Sequence, residues 1–492
     1  WAPVTRESMS QRLSESSPLV RDPNSKPHSL GAIVCLLYPV ALGWCIEFYD
    51  YGCYTTLTNE IEANFFAGMP PTSSSCLVWT IFALGQVARP FGGAILGYVA
   101  DNYGRRVSII VATIGMLVAT GGIGMMPTAR CCGEGWGTFS VVMLCIFRVF
   151  QGLFAAGEVG VAGMWAIESV APHRACFAFA IMFVAGEAGF LGAAGISALL
   201  ESVLDDQAML DWGWRIPFLL ALLLGIASAL LQHSRVEESA EYEKLAVETT
   251  GAEGKIAAAS ETRPFNVFRS LWARHRSTFV LSVLICSVNA GLFYGTTAFI
   301  KDYLVTIGVR TTAEAGALQA FMFAVSIPAD LICGVLADAY GASRTSVIGV
   351  VTCLLFVLPA WLLLVSPGAL YLPYIGGLLF VLIFSLAHVS PIVLVAGLFP
   401  VETRVTGFGL AYNTAQLVFG GFAAAIGDAL YSAFSGDKSP SNSLWIDASP
   451  AIWAYVILCC AVAGLAGLRC AVLAGKFERA STLQDERLPS FW

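Results

Sequence analysis

Gly97-Tyr98-Val99-Ala100-Asp101-Asn102-Tyr103-Gly104-Arg105-Arg106 is a short charged string set between two long apolar runs. A looser copy stands in the second half of the chain, at Gly334, Asp338, Gly341 and Arg344. Both read G-x-x-x-D-x-x-G, followed by a cation. Each joins apolar stretches long enough to cross a bilayer. A charged turn duplicated between such stretches implies two related helical bundles in one chain, moving against each other.

Composition agrees with lipid as the solvent. Apolar residues make up 57% of the chain and charged residues only 12%, about half the charged share of a soluble domain. So little polar surface could not cover so large an apolar interior in water. Apolar runs of span length are centred on 31–56, 77–100, 107–127, 139–166, 175–200, 214–233, 278–304, 313–337, 345–366, 370–397, 404–432 and 450–473. The expectation is an all-α integral membrane protein of twelve transmembrane helices, numbered here as segments 1 to 12, in two six-helix bundles. Glycine within these runs would weaken soluble helices but suits close packing of membrane helices.

The basic residues set the orientation. With the N-terminus inside, most of the 27 Lys and Arg fall on the cytoplasmic side, the bias expected of membrane proteins. Both termini are then cytoplasmic, and the plasma membrane is the expected location. Residues 1–29 read as a cytoplasmic tail and 30–233 as the first bundle. The polar stretch 234–277 reads as a cytoplasmic linker with short amphipathic helices, 278–475 as the second bundle and 476–492 as a second tail. The fourteen Cys are scattered, mostly in apolar runs where they act as small hydrophobes. They show no metal-ligand spacing.

An ionisable side chain inside a span costs several kcal/mol unless paired or hydrated, on the order of 2.5–3.5 by insertion measurements. Segment 1 carries Glu47 and Asp50, three apart and so on one helical face. Segment 2 carries Gln86 and Arg89. Segment 4 carries Arg148, Gln151 and Glu158 within one narrow polar stripe. Segment 5 carries Glu187. The second half is poorer in charge: Asn289 and Tyr294, Asp330, His388, then Asn413 and Gln416. Both deep cations therefore lie in the first half. An arginine fork suits a carboxylate, although Arg89 and Arg148 could equally neutralise Glu47, Asp50 or Glu158. For Glu187, Asp330 and His388 a structural role is at least as well supported as a functional one.

These residues carry a resemblance. The chain resembles the major facilitator superfamily and, within it, the metabolite:proton symporters, from about residue 40 to 430. Glu47-Phe48-Tyr49-Asp50-Tyr51 is similar to that family's E-W-Y-D-F, and Arg89-Pro90-Phe91-Gly92-Gly93 to its R-P-x-G-G. The superfamily loop G-x-x-x-D-x-x-G-R-[RK] is complete at Gly97, Asp101, Gly104, Arg105 and Arg106. Arg148, Gln151, Gly152, Ala156, Gly157 and Glu158 follow R-x-x-Q-G-x-x-x-G-G-E, with Ala156 replacing the first paired glycine. Glu168 and Pro172 match E-x-x-x-P. Trp212-Gly213-Trp214-Arg215-Ile216-Pro217-Phe218 is similar to W-G-W-R-I-P-F, and Glu237-Glu238-Ser239 to E-[ST]-P without its proline. Phe399-Pro400, Arg404 and Ala411-Tyr412-Asn413 resemble the second-half pattern. The second charged loop departs from it, with Ala-Ser before Arg344. The sugar-porter P-E-S-P-R signature is absent after segment 6.

The resemblance implies secondary transport by alternating access: proton-coupled symport of a small organic anion, with a zwitterion such as proline or betaine as the alternative cargo. A non-transporting sensor on the same fold is a further alternative, disfavoured by the short linker and tail. No enzyme constellation, cofactor or nucleic-acid partner is implied, and a monomer suffices. The gate comprises Gly97, Asp101, Gly104, Arg105 and Arg106 with Asp338 and Arg344. Substrate contacts are expected from Arg89, Arg148, Gln151, Tyr49, Asn289, Tyr294, Asn413 and Gln416. Coupling needs a group that changes charge between states, which Asp50, Glu47 and Glu158 offer. A carboxylate beside a guanidinium holds its charge; withdrawn from it into apolar surroundings, it takes up a proton.

Overall fold

The computed structural model describes residues 29–421, apart from 68, 70, 240–263, 294–299, 307 and 400–402, together with residue 466. Apart from Ser29 and Ala466, segment 12 and both tails lie outside the described residues, as does Tyr294. All regular structure within them is helical: α1 (Leu30–Thr56), α2 (Thr58–Phe65), α3 (Pro71–Tyr103), α4 (Arg105–Met125), α5 (Gly137–Glu168), α6 (Ala175–Val203), α7 (Arg215–Arg235), α8 (Pro264–Leu292), α9 (Ile300–Thr306), α10 (Thr312–Tyr340), α11 (Ala342–Leu364), α12 (Tyr371–Ala396) and α13 (Arg404–Ala415), with a few single turns between them. Eight helices are long and apolar enough to cross a membrane: α1, α4, α5, the α6 helix counted from Pro172, α7, α10, α11 and α12. The chain is therefore a multi-pass membrane protein. Helix α8 begins at Pro264, inside the stretch expected to be linker, and kinks at His275, whose φ of −124° is not helical.

Local chemistry explains the ends and interruptions. Thr311 and Glu314 cap α10 reciprocally, Glu314 N donating to Thr311 Oγ1 at 3.3 Å and Thr311 N to Glu314 Oε2 at 3.0 Å. Pro39, Pro90, Pro328, Pro359 and Pro391 lie inside helices; neighbouring helices make such prolines tolerable in a bilayer. Gly104 and Gly341, the second glycines of the two charged strings, have φ of 108° and 93°. They turn the chain between α3 and α4 and between α10 and α11, in a region closed to most L side chains. The outer surface is apolar: Val118, Leu223, Leu230 and Leu355 are each about two-thirds exposed, as lipid contact requires.

Packing follows the halves of the chain. Helix α1 packs on α6 and α7, α3 on α5, and α4 on α5 and α7; α12 packs on α10, α11 and α8. One buried cluster lies wholly within residues 49–221 and another wholly within 288–387. A third crosses between the halves, joining Leu37, Trp44 and Phe179 to Ile285, Ile392 and Phe408. It occupies the membrane half on which α1 begins, called here the near side. Cross-half contacts run through α3 on α13, α6 on α10 and α12, and α8 on α3.

Glycine permits the closest of these approaches. A methyl group on Gly97 would come within 2.6 Å of Thr406 Cα, and one on Gly334 within 3.0 Å of Phe177 Cα. The first glycine of each charged string is thus where a helix of one half touches the backbone of a helix of the other.

Candidate functional site

The near-side cluster is built around the two charged strings. Asp101 Oδ2 accepts from Thr406 N at 3.0 Å and Thr406 Oγ1 at 2.7 Å, and Thr406 lies in the first turn of α13. Asp338 accepts from Cys176 N at 2.9 Å and Phe177 N at 3.1 Å, in the first turn of α6. Each carboxylate meets amides that an α-helix leaves unpaired, where the helix dipole favours negative charge.

Arg105, fully buried, donates through Nε and Nη2 to Glu168 at 3.2 and 3.3 Å, and its Nη1 lies 3.6 Å from Asp101. Glu168 also faces Arg404 Nη1 at 3.9 Å and accepts from Ser239 Oγ at 2.7 Å. Glu238 accepts from Arg105 N at 2.8 Å and Arg106 N at 3.3 Å. Burial pushes its carboxyl above the ordinary carboxylate value, while the amides of Ser239, Arg105 and Arg106 and the Arg105 charge pull it down. Arg106 Nη2 donates to the His233 carbonyl at 2.7 Å. The run Glu237-Glu238-Ser239 thus ties the end of α7 to the α3–α4 turn. Arg344, by contrast, is exposed and makes no ion pair among the described residues. The second string keeps its aspartate contact without the flanking arginine network.

Deeper in the membrane the two arginines part ways. Arg89 is neutralised: its Nη2 donates to Glu47 Oε1 at 3.0 Å and its Nε to Asn413 Oδ1 at 3.2 Å, across the halves. Arg148 makes no ion pair among the described residues. Its Nη1 donates to Gln151 Oε1 at 2.9 Å, and Gln151 Nε2 donates onward to Asp50 Oδ2 at 2.6 Å and Thr120 Oγ1 at 3.1 Å. The guanidinium carbon stands 4.1 Å from the Tyr54 ring centre, 5.2 Å from Phe82 and 5.9 Å from Tyr51. An aromatic face holds a desolvated cation by its quadrupole without cancelling its charge.

Glu158 opens a wide π turn, Glu158–Ala162, within α5. It accepts a short hydrogen bond from Thr113 Oγ1, which also reaches Gln232 Oε1 at 2.8 Å. It stands apart from the Arg148 chain but shares a narrow cleft with Glu47 and Asp50; a second cleft joins Glu47 and Asp50 to Arg89, Arg148 and Gln151. In the second half, Asn289 Oδ1 accepts from Tyr412 Oη at 3.3 Å and Gln416 Nε2 at 2.8 Å. Tyr49 is buried between α1 and α6, beside Gly189 and Gly192.

Several buried polar atoms have no hydrogen-bond partner among the described residues: Glu47 Oε2, Asp50 Oδ1, Arg148 Nε, Gln416 Oε1 and both amide atoms of Gln86. Such groups are costly to leave unmet and mark where a polar ligand fits. Gln86, noted in the sequence beside Arg89, is not among the expected substrate contacts, because a lone glutamine in an apolar run gives no sign of what it faces until its neighbours are known.

Comparison with known proteins places the chain. Residues 40–425 match the Major Facilitator Superfamily. The α-ketoglutarate permease of Escherichia coli (strain K12) is 27% identical over 384 residues, covering 77% of this chain and 83% of that protein. A putative proline/betaine transporter of Staphylococcus aureus (strain COL) is 28% identical over 383 residues, covering 77% and 78%. The proton:xylose symporter XylE, bound to 6-bromo-6-deoxy-D-glucose, superposes with a TM-score of 0.69 at 16% identity over 92% of this chain and 96% of that one.

Proposed function

The chain belongs to the Major Facilitator Superfamily and is a secondary active transporter rather than an enzyme; from that premise we propose that it carries a small organic anion together with a proton. One observation carries the reading. Arg148 is a buried guanidinium, 2% exposed, held by an amide and aromatic faces with no carboxylate paired to it among the described residues. A carboxylate cargo would complete it with a bidentate pair. Arg89, already paired with Glu47, then serves to position α1 against α3 and α13. The resemblance to the α-ketoglutarate permease supports the same cargo class.

Asp50 is the proposed proton carrier. Gln151 links it to Arg148, so an anion arriving at Arg148 changes the field at Asp50. Glu47 and Glu158, in the same clefts, are the next candidates. Gln151, Tyr49, Asn289, Asn413 and Gln416, with Tyr294 outside the described residues, are proposed to complete the cargo site. The proposed frame is twelve spans in two six-helix bundles, 30–233 and 278–475, rocking about a central site. The near side and both termini are cytoplasmic in this reading, in a plasma-membrane protein active as a monomer.

A zwitterion is the rival, since Asp50 Oδ1 and Arg148 Nε offer both signs within one chain of contacts, and the proline/betaine relative is equally similar. The test is flux into liposomes holding the purified chain, with an inside-alkaline pH gradient. Uphill accumulation of a mono-, di- or tricarboxylate is expected. Accumulation of betaine or proline alone would transfer the assignment to the rival, and no gradient-driven uptake of either class would overturn both.

A further inference from the structure

Away from the clefts around Arg148, three ionisable side chains from three helices meet at the junction of the halves. Glu187 comes from α6, Asp330 from α10 and His388 from α12; they are 6%, 0% and 2% exposed. The Glu187 carboxylate lies within hydrogen-bonding reach of Asp330 and Ser326. His388 Nε2 stands 3.3 Å from Asp330 Oδ2. Its Nδ1 lies 3.1 Å from the Phe384 carbonyl. A carbonyl only accepts, so this contact puts the hydrogen on Nδ1 and leaves Nε2 facing the Asp330 carboxylate. The bonded carbonyl is not the Ala387 carbonyl that Pro391 leaves free, so His388 is not there to mend a proline gap.

The surroundings are apolar. Phe384 stacks on the His388 ring at 4.1 Å and Phe183, one turn before Glu187 on α6, lies 4.4 Å away. Besides these three, the titratable side chains in the enclosing core are Cys333 on α10, Cys286 on α8, Tyr412 on α13 and Cys176 on α6; α11 adds Cys353 and α9 adds Tyr303, and α1 turns Trp44 and Phe48 toward α6. No arginine or lysine reaches the cluster among the described residues. Two carboxylates in contact in a dry setting persist only if a proton lies between them. Glu187 and Asp330 come from opposite halves, so that shared proton has a place only while α6 and α10 are together.

We infer that Glu187, Asp330 and His388 form a second proton-binding site, assembled when the near side closes and dismantled when it opens. Closure with uptake places one proton from water on the Glu187 carboxylate, which then donates to Asp330. Opening separates the carboxylates, and Glu187 returns its proton to water. The site acts in parallel with Asp50 and rests on the reading of the chain as a proton-coupled transporter, but it needs no cargo to act.

Hydrogen exchange on the full chain in liposomes, without substrate and corrected for the intrinsic pH dependence of exchange, tests this. Closure protects the Cys176 and Phe177 amides, which Asp338 holds. Their protection is expected to fall by up to about tenfold between about pH 5 and pH 8, the effect of a one-unit offset in proton affinity between closed and open states. Glu187→Gln, whose amide donates to Asp330 at any pH, is expected to keep the acid-level protection at pH 8. A wild-type chain without the fall, or a folded Glu187→Gln chain that still shows it, overturns the inference. Infrared difference spectra give a readout that does not depend on Glu187→Gln folding. A protonated-carboxyl band that appears on acidification in wild type and is lost in Asp330→Asn supports the site; a band unchanged in Asp330→Asn overturns it. Should carboxylate flux fail while these results hold, the cargo assignment falls and the proton site stands.

Discussion

Asp101 and Asp338 stand at equivalent places in the two charged strings, and each carboxylate binds the first-turn backbone amides of a helix from the opposite half of the chain. The two contacts are complementary: α3 reaches α13, and α10 reaches α6. Both sit on the near side, so the described state is closed there. The Asp338 contact is to backbone amides and depends on no partner side chain, so substitutions on α6 leave it in place as long as the helix begins at the same residue, whereas Asp101 also draws on the Thr406 hydroxyl.

Asp101→Asn keeps the shape but replaces a charge-assisted acceptor with a neutral one and brings in an amide that cannot accept from Thr406. We expect turnover to fall about tenfold, roughly 1.4 kcal/mol on a rate, while cargo affinity stays near wild type. Parallel flux and binding measurements check this; loss of binding by a folded variant would place Asp101 in the cargo site instead.

Gly97→Ala tests the same latch by volume. Its methyl would lie 2.6 Å from Thr406 Cα, too close for either backbone to accommodate. The near side should therefore spend more time open, read as faster labelling of a cysteine placed on the near-side end of α13. Gly195→Ala, at a position with open space around it, is the control and should behave as wild type.

Arg148→Ala should abolish transport of an anionic cargo. Arg148→Lys should restore little of it, because the ammonium loses both the planar fork and its stacking on Tyr54. Uptake by the Lys variant at near wild-type rate would reduce Arg148 to a counter-ion.

Asp50→Asn removes the proposed carrier without breaking an ion pair, since Asp50 is held by Gln151 rather than by an arginine. Uphill uptake in a pH gradient should be lost, while counterflow of labelled cargo continues, because a permanently neutral site crosses in both directions. Net accumulation by this variant would shift the role to Glu47 or Glu158.

Arg89→Ala should lower stability sharply. It strands the buried Glu47 carboxylate, a loss of about 3–5 kcal/mol for a broken buried pair. Glu47→Gln with Arg89→Gln removes both charges and should recover most of the melting temperature. Thermal unfolding in detergent separates this structural effect from the transport effect at Arg148.

The spans were legible because a bilayer imposes its length on apolar runs: α1, α4, α5 and α10 fall within a few residues of the runs that announced them. The charged strings were legible too, down to the glycine turns at Gly104 and Gly341. Partnership was not. Arg89 with Glu47, and Arg148 through Gln151 to Asp50, depend on how far α1 rotates against α3 and α5, which no spacing along one helix encodes. Thr406 was invisible as the partner of Asp101 because a first-turn amide has no side-chain signature. Glu187, Asp330 and His388 read as three unrelated residues until α6, α10 and α12 met.

The glycine contacts at Gly93, Gly97 and Gly409 have a consequence for the speed of motion. A methyl on Gly93 would come within 2.7 Å of the Gly409 carbonyl oxygen, so α3 and α13 touch as bare backbone along nearly one helical turn. Interlocked side chains must change rotamer to disengage, and each change adds a small barrier of its own. Smooth surfaces meet and part without that friction. Resistance to opening is then concentrated in a few discrete hydrogen bonds and is released abruptly, as a catch is, rather than gradually, as a zip is.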